Sequence, residues 1–276
     1  MSDSVRTAAC IVIFHPEIGR LLRSIESVIG QVDEVLLILN SEKKEIEDIL
    51  RQYSSIVLLG KEENEGIAKA INYAIEYCYA EGIEWLLTLD QDSICPYNLV
   101  NRYMDVIDEN IGIVTCGIEY NGQMVKTEDQ CNDIEECIQS GSFMNVKVAN
   151  ELGGMDSKMF IDQVDFEYCY RLRKAGYRII QVPGLTLEHS LGDLKIKIVG
   201  PITFYIGNHS SSRKYYMARN ALYCNLIHPE WRSKTFCIKK ISGLIIKSLL
   251  FEQDKRNKIK AVFKGIVDAH KMLQNK

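Results

Sequence analysis

The sequence predicts an α/β protein, with a mostly parallel sheet carrying helices on both faces and a C-terminal helical extension. Short apolar, β-branched-rich runs at residues 8–14, 34–40, 55–59 and 84–89 alternate with helix-like stretches at 19–29, 43–53 and 67–79. Strand–helix alternation of this kind builds parallel sheets from βαβ units. The 276 residues, 46% of them hydrophobic, suffice for one good-sized core and a small appendage. Beyond Pro201 the pattern changes to helices rich in Lys, Ile and Leu, so residues 1–200 are expected to form one domain and 201–276 a helical, basic extension.

Each element has its own signal. In the first helix Leu21, Leu22, Ile25, Val28 and Ile29 recur at helical spacing between two strands. Residues 111–118 read as a further strand and the polar stretch 121–136 as a loop. Residues 145–152 and 166–174 then read as helices, and 178–182 as a late strand.

Charge and cysteine usage narrow the setting. The nine cysteines include no C-x-x-C pair, and an odd number cannot all pair within one chain. A reduced, cytoplasmic chain is therefore expected. Residues 1–7 are polar, and the apolar run 8–14 is too short for the core of a secretory signal. No run is long enough to span a bilayer. The net charge of −4 hides an asymmetry: residues 230–276 hold twelve Lys or Arg against four Asp or Glu, a local +8 that leaves −12 for the rest. A basic segment suits an anionic lipid surface, an acidic partner or nucleic acid, and charge alone does not choose among them.

Asp90 and Asp92, in Leu89-Asp90-Gln91-Asp92-Ser93, place two carboxylates at the end of an apolar strand. The edge outside the carboxyl ends of parallel strands is where open α/β sheets bind ligands. Side chains two apart on an extended segment point the same way, so both acids can converge on one object while Gln91 faces away. Mg²⁺ holding a diphosphate suits that geometry, since it typically takes one or two protein carboxylates plus phosphate oxygens. A solvated turn accounts for the same residues. Asn64-Glu65-Gly66 follows the third strand and opens a helix containing Asn72, where backbone N–H groups meet an anionic ligand or Asn64 simply caps the first turn.

A second acidic cluster lies in Asp162-Gln163-Val164-Asp165-Phe166-Glu167. Acids in a first helical turn are stabilised by the helix dipole, and Glu167 can pair with Arg171 four residues on. Asp162 and Asp165 would share a face. Asp165 is the better candidate for a general base, because apolar Val164 and Phe166 beside it would partly desolvate it and strengthen it as a base. His189 follows the late strand, as a structural imidazole or as a ligand; if it joins Asp90 and Asp92, it favours Mn²⁺ more than an all-oxygen site does. Arg213-Lys214-Tyr215-Tyr216-Met217-Ala218-Arg219-Asn220 supplies cations and rings that clamp phosphate or pack a helix.

In this order the motifs resemble the bacterial family 2 glycosyltransferases of GT-A, Rossmann-like fold, and within them the rhamnosyltransferase group. Phe14-His15-Pro16, Gln31-Val32-Asp33, the helix opening from Asn64 to Asn72 and Leu89-Asp90-Gln91-Asp92-Ser93 match, followed by Ser140-Gly141-Ser142, the segment from Asp162 to Arg171, Glu188-His189-Ser190-Leu191-Gly192 and the segment from Arg213 to Asn220. The likeness covers residues 8–225. It departs at Ile38-Leu39-Asn40-Ser41-Glu42, where many relatives have Val-Asp-Asn-Gly-Ser, so that Leu39 stands in the place of an acid.

The resemblance implies that Asp92 ligates Mg²⁺ or Mn²⁺, and His189 is expected beside it as a second ligand. It implies that Asp90 contacts the donor's ribose or the metal's water shell, and that Asp165 deprotonates the acceptor hydroxyl in an inverting displacement. Asn64, Gly66, Asn72 and Arg213 complete the expected donor site. The donor would be a dTDP- or UDP-linked sugar, dTDP-L-rhamnose in this group. The acceptor would be a cell-surface polysaccharide or lipid-linked saccharide, reached by peripheral contact with the inner membrane face. Ile238, Ile241, Leu244, Ile245, Leu249 and Phe251 would then form one apolar face of an interfacial helix, or the same face would pack as core.

Other classes predict less. A non-catalytic sugar-nucleotide or polysaccharide binder would dispense with Asp165, which is present. A haloacid-dehalogenase-type phosphatase would carry its paired aspartates on its first strand, whereas three strands precede Asp90 here. Nucleic-acid binding rests on the basic tail alone and is not expected.

Overall fold

Every residue of β1 (Thr7–Ile13) is buried, as in a strand covered on both faces of a parallel sheet. A computed structural model of the chain describes residues 5–53, 55–120, 123–124, 129–189 and 195–274. Ser190-Leu191-Gly192 and most of the expected loop's first half lie outside the described residues. After β1 come α1 (Ile18–Val28), β2 (Glu34–Leu39), α2 (Glu47–Gln52), β3 (Val57–Gly60), α3 (Ile67–Ala80) and β4 (Trp85–Asp90), in the expected alternation. The helix expected over 43–53 is divided, with a 3₁₀ turn at Lys43–Ile46 before α2.

The chain continues through α4 (Leu99–Met104), β5 (Ile111–Tyr120), β6 (Gln123–Met124), β7 (Asn132–Asp133), β8 (Ser142–Asn145) and α5 (Val146–Glu151). Then follow α6 (Val164–Lys174), β9 (Arg178–His189), β10 (Lys195–Val199), β11 (Ile202–Ile206), α7 (Ser211–Ile227), α8 (Lys234–Leu250) and α9 (Lys255–Gln274). Among the described residues nine strands join one sheet in the order β3-β2-β1-β4-β8-β5-β9-β7, with β6 on β5. The first four are parallel neighbours, and β8 runs antiparallel between β4 and β5.

Helices cover both faces of that sheet. Ala9, Ile11 and Ile13 share one core cluster with Leu21, Ile25 and Val28 of α1 and with Leu99, Val100 and Tyr103 of α4. The alternate residues Ala8, Cys10 and Val12 point to the opposite face, where α3 packs on β1, β2 and β4. Full burial of each Leu, Ile or Val contributes about 1.5–3 kcal/mol relative to exposure.

Three elements depart from expectation for local reasons. β9 runs seven residues past the expected Val182, because its parallel pairing with β5 steps from Thr115/Gln181 to Gly117/Thr186. The irregularity absorbs Pro183-Gly184, which reads in sequence as a stop but lacks only a ladder donor there. β8 is four residues long and too short for a period to show. The hairpin of β10 and β11 precedes the C-terminal helices, so the change beyond Pro201 is not directly to helix.

The chain divides into two compact units: Met1–Ser157 with Tyr168–Ser190, and Lys158–Glu167 with Leu191–Lys276. In the second, α7 packs along α9 and against α8, around Ala218, Leu244 and Val262. A side chain at Gly265 would place its Cβ 2.5 Å from the carbonyl oxygen of Tyr215, so the close approach of α9 to α7 requires glycine. The expected apolar face of the tail is divided. Leu244 is buried, and Ile241 and Ile245 pack against the same cluster, whereas Ile238 and Leu249 are exposed. A helix packed on two neighbours turns part of its apolar surface to each, so one six-residue face does not survive.

Polar burial in this unit centres on Glu252. Its carboxylate accepts from Lys214 Nζ at 2.6 Å and Lys258 Nζ at 3.2 Å, and all three side chains are buried. Burial works to raise the Glu252 pKa, but the hydrogen bonds and charges of the two lysines hold it below the ordinary carboxylate range. Lys258 also donates to Asn208 Oδ1 at 2.7 Å.

Candidate active site

Asp90 is the last residue of β4, whose neighbour β1 runs parallel to it with Val12 opposite Asp90. The carboxylates therefore emerge at the carboxyl edge of the parallel strands. Gln91 turns away: its side chain accepts from Phe14 N at 2.9 Å and donates to Phe14 O at 3.1 Å, tying the end of β1 to the turn. Asp90 and Asp92 are thus left on one side.

His189 reaches them from the end of β9. Ile94 and Glu188 exchange both backbone hydrogen bonds, at 3.0 and 3.1 Å, so the segment after Asp92 is sewn to the residue before His189. One ligand atom from each of Asp90, Asp92 and His189 lies within 4.8 Å of the others. His189 Nε2 is 3.6 Å from Asp90 Oδ2, and Nδ1 is 3.8 Å from Asp92 Oδ1. Two carboxylates and an imidazole converging from half-buried positions form a donor set that fits Mn²⁺, with Mg²⁺ better served by the carboxylates alone.

Several partners of this cluster carry no sequence signal of their own. Arg20 of α1 places Nη1 3.9 Å from Asp92 Oδ2. Ser93 Oγ is 3.0 Å from His189 Nδ1 and 2.7 Å from Ser140 Oγ, which accepts from Asp90 N at 3.1 Å. Ser93 and Ser140 do fall inside matched motifs, but neither motif tells that the two side chains touch.

The segment from Asn64 to Asn72 lies in the same unit. Gly66, at φ +88°, is the N-cap of α3, a conformation costly for any residue with a Cβ. Asn64 does not cap the first turn: its Oδ1 accepts from Gly66 N at 3.0 Å. Glu65 is held by Lys69, Tyr73 and Lys61, and the first of these contributes most to drawing its carboxyl down to about 2. Asn40, beside Leu39, accepts from Glu65 N at 2.8 Å. Asn72 donates to Met155 O at 2.9 Å and Ser157 Oγ at 3.0 Å, and accepts from Met155 N at 2.7 Å. Its amide therefore holds the loop at 155–157.

Asp165 and Arg213 fall in the second unit. Asp165 stands in the first turn of α6, half-buried, with Oδ1 accepting from Phe166 N at 2.9 Å. Asp162 lies outside the helix at φ +67°, followed by Gln163 at φ +68°, so three-residue spacing does not put Asp162 and Asp165 on one helical face. Asn220 Nδ2 holds this turn by donating to the carbonyls of Met159, Ile161 and Asp162 at 2.6–2.9 Å. Arg213 Nε is 3.4 Å from Asp162 Oδ2. On α6, Glu167 meets His228 at 3.2 Å, and Arg171 donates to the carbonyls of Leu152 and Gly154, both at 2.6 Å.

A family model described as Glycosyl transferase family 2 matches residues 9–161. A dTDP-rhamnosyl transferase of Shigella flexneri, RfbF, is 30% identical over 280 residues, covering 94% of this chain and 92% of that protein. Among solved structures, GalNAc-T7 with UDP, GalNAc and Mn²⁺ is similar at a TM-score of 0.64 and 13% identity, covering 98% of this chain but only 57% of its own. TarS of S. aureus in complex with UDP-GlcNAc is similar at 0.60 and 13%, covering 96% and 81%. At these identities the structural likeness bears on the fold, which is that of glycosyltransferases.

Proposed function

Because the chain belongs to glycosyl transferase family 2, we propose that it is a metal-dependent, inverting enzyme that moves L-rhamnose from dTDP-rhamnose onto a cell-surface polysaccharide or lipid-linked acceptor. The observation that carries the reading is the convergence of Asp90, Asp92 and His189 at the carboxyl edge of β4 and β9. A divalent cation held there supplies charge neutralisation for the departing nucleoside diphosphate. Asp92 and His189 are its ligands in this reading, and Asp90 contacts the ribose or the cation's water shell. Asn64, Gly66 and Arg213 serve the donor, with Asn72 acting through the loop it holds.

Asp165 takes the proton of the acceptor hydroxyl as that oxygen attacks the anomeric carbon, and the bond to the diphosphate oxygen breaks with inversion. A general base of this kind contributes about 10²- to 10⁴-fold. The rhamnosyl donor is supported by the relative of 30% identity and matching length. A UDP-linked donor is the second reading, favoured by the UDP-containing fold relatives. Donor chemistry is assigned to residues 1–200 together with Arg213, and membrane contact to the helices that follow.

A screen of nucleotide sugars tests this directly. Mn²⁺-dependent hydrolysis and thermal stabilisation are expected with dTDP-rhamnose above UDP-sugars. Binding without turnover for every donor and acceptor offered would leave a non-catalytic binder instead.

Membrane contact belongs to the same proposal. Among the described residues no helix is long and apolar enough to cross a membrane. The exposed side of α9 nevertheless sets Phe263 and Val267, both 56% exposed, among Arg256, Lys260, Lys264 and Lys271. Basic residues near an anionic leaflet contribute about 1 kcal/mol each, and a helix of this pattern lies in the interface plane. The full chain should therefore co-sediment with anionic vesicles in a salt-sensitive way, and Lys260→Glu with Lys264→Glu should release it. Equal binding to neutral and anionic vesicles, or none to either, would remove the membrane from the account.

A further inference from the structure

We propose that the buried hydroxyl pair Ser93 and Ser140 is a positioning device for the cation site, orienting the His189 imidazole so that Nε2 is the ligating nitrogen and tying it to the backbone of Asp90. The inference rests on the metal reading of Asp90, Asp92 and His189.

Three distant segments meet in one chain of hydrogen bonds. Asp90 N donates to Ser140 Oγ at 3.1 Å, Ser140 Oγ lies 2.7 Å from Ser93 Oγ, and Ser93 Oγ lies 3.0 Å from His189 Nδ1. Ser93 is fully buried and Ser140 is 1% exposed, so water does not substitute for either partner. Nδ1 is engaged by Ser93 at 3.0 Å and lies 3.8 Å from Asp92 Oδ1, while Nε2 lies 3.6 Å from Asp90 Oδ2 on the side where the two carboxylates converge.

Hydrogen accounting gives the chain a direction. Each hydroxyl has one hydrogen to give. A lone pair on Nε2 places the imidazole proton on Nδ1, which donates to Ser93, and Ser93 then donates to Ser140. In the opposite direction Ser140 donates to Ser93 and Ser93 to Nδ1, which leaves a proton on Nε2 and no lone pair for a cation. A bound cation therefore selects the first direction. Ser140 also fixes where Asp90 leaves β4, so one pair of hydroxyls sets two members of the site. Partners that hold a ligating histidine by its other nitrogen typically contribute 10- to 100-fold in metal affinity.

The test uses the full chain and Mn²⁺ alone, read by electron paramagnetic resonance for free Mn²⁺ and for ¹⁴N coupling from a directly bonded imidazole. Wild type should show the coupling. Ser93→Ala should bind Mn²⁺ about 10- to 100-fold more weakly, with the nitrogen coupling lost or altered and the thermal midpoint little changed. Ser140→Ala, which keeps the Ser93–His189 contact, should weaken binding less, and it provides the reading if Ser93→Ala does not fold. Mn²⁺ affinity and nitrogen coupling at wild-type values in whichever variant folds would overturn the positioning role alone. A wild-type chain that binds no Mn²⁺ would overturn the metal reading and this inference with it.

Discussion

Asp165→Asn is expected to lower the rate of glycosyl transfer by about 10²- to 10⁴-fold, the usual contribution of a general base, while the affinity for the donor nucleotide stays within about twofold. The asymmetry follows from the assigned role, since a base acting on the acceptor hydroxyl takes no part in holding the nucleotide. Asp165 stands in the first turn of α6, where the backbone N–H of Phe166 already meets its Oδ1. Asparagine keeps that acceptor and the size of the side chain, so the fold should be unaffected. Steady-state transfer assayed beside dTDP calorimetry separates the two quantities. Wild-type turnover in Asp165→Asn would remove the base from the mechanism.

Glu252→Ala is expected to destabilise the chain by about 3–5 kcal/mol, because it leaves two buried ammonium groups without their shared carboxylate. Lys214 and Lys258 reach Glu252 at 2.6 and 3.2 Å, and their side chains are 2% and 4% exposed. Such a loss greatly exceeds the 0–1 kcal/mol typical of exposed pairs. Urea unfolding of the two proteins measures it. A difference below about 1 kcal/mol would mean that water or rearranged side chains satisfy the lysines, and that this cluster is not an anchor of the second unit.

These two residues differ in how far sequence announces them. Asp165 lies in a dense acidic segment with a family match, whereas Glu252 follows an apolar helix and nothing beside it in sequence shows that Lys214 and Lys258 will surround it. The sheet was legible because its first four strands are continuous apolar runs set off by amphipathic helices, and that periodicity is local. β8 and the extension of β9 were not legible, since one is too short for a period and the other crosses Pro183-Gly184 through a register shift that only its partner β5 defines. At the candidate site the spacing of Asp90 and Asp92 showed that they share a side. That His189 joins them depends on the pairing of Ile94 with Glu188, a contact between segments about a hundred residues apart in the chain. Arg20 and the Ser93–Ser140 contact are of the same kind.

The apolar face expected on α8 is only partly covered. Helical spacing alone grouped Ile238 with Leu244, yet packing against α7 and α9 buries the second and leaves the first exposed. Periodicity identifies an amphipathic helix, but it does not say how many neighbours share the apolar surface.

In the proposed reading, a divalent cation held at Asp90, Asp92 and His189 serves a nucleotide-sugar donor. The most direct measurement is calorimetry of dTDP binding to wild type and to Asp92→Asn, each with and without Mn²⁺. Mn²⁺ is expected to tighten binding to wild type, and Asp92→Asn to lose this enhancement while its circular dichroism and thermal midpoint match wild type. Binding to Asp92→Asn that Mn²⁺ enhances as strongly as in wild type would contradict this reading.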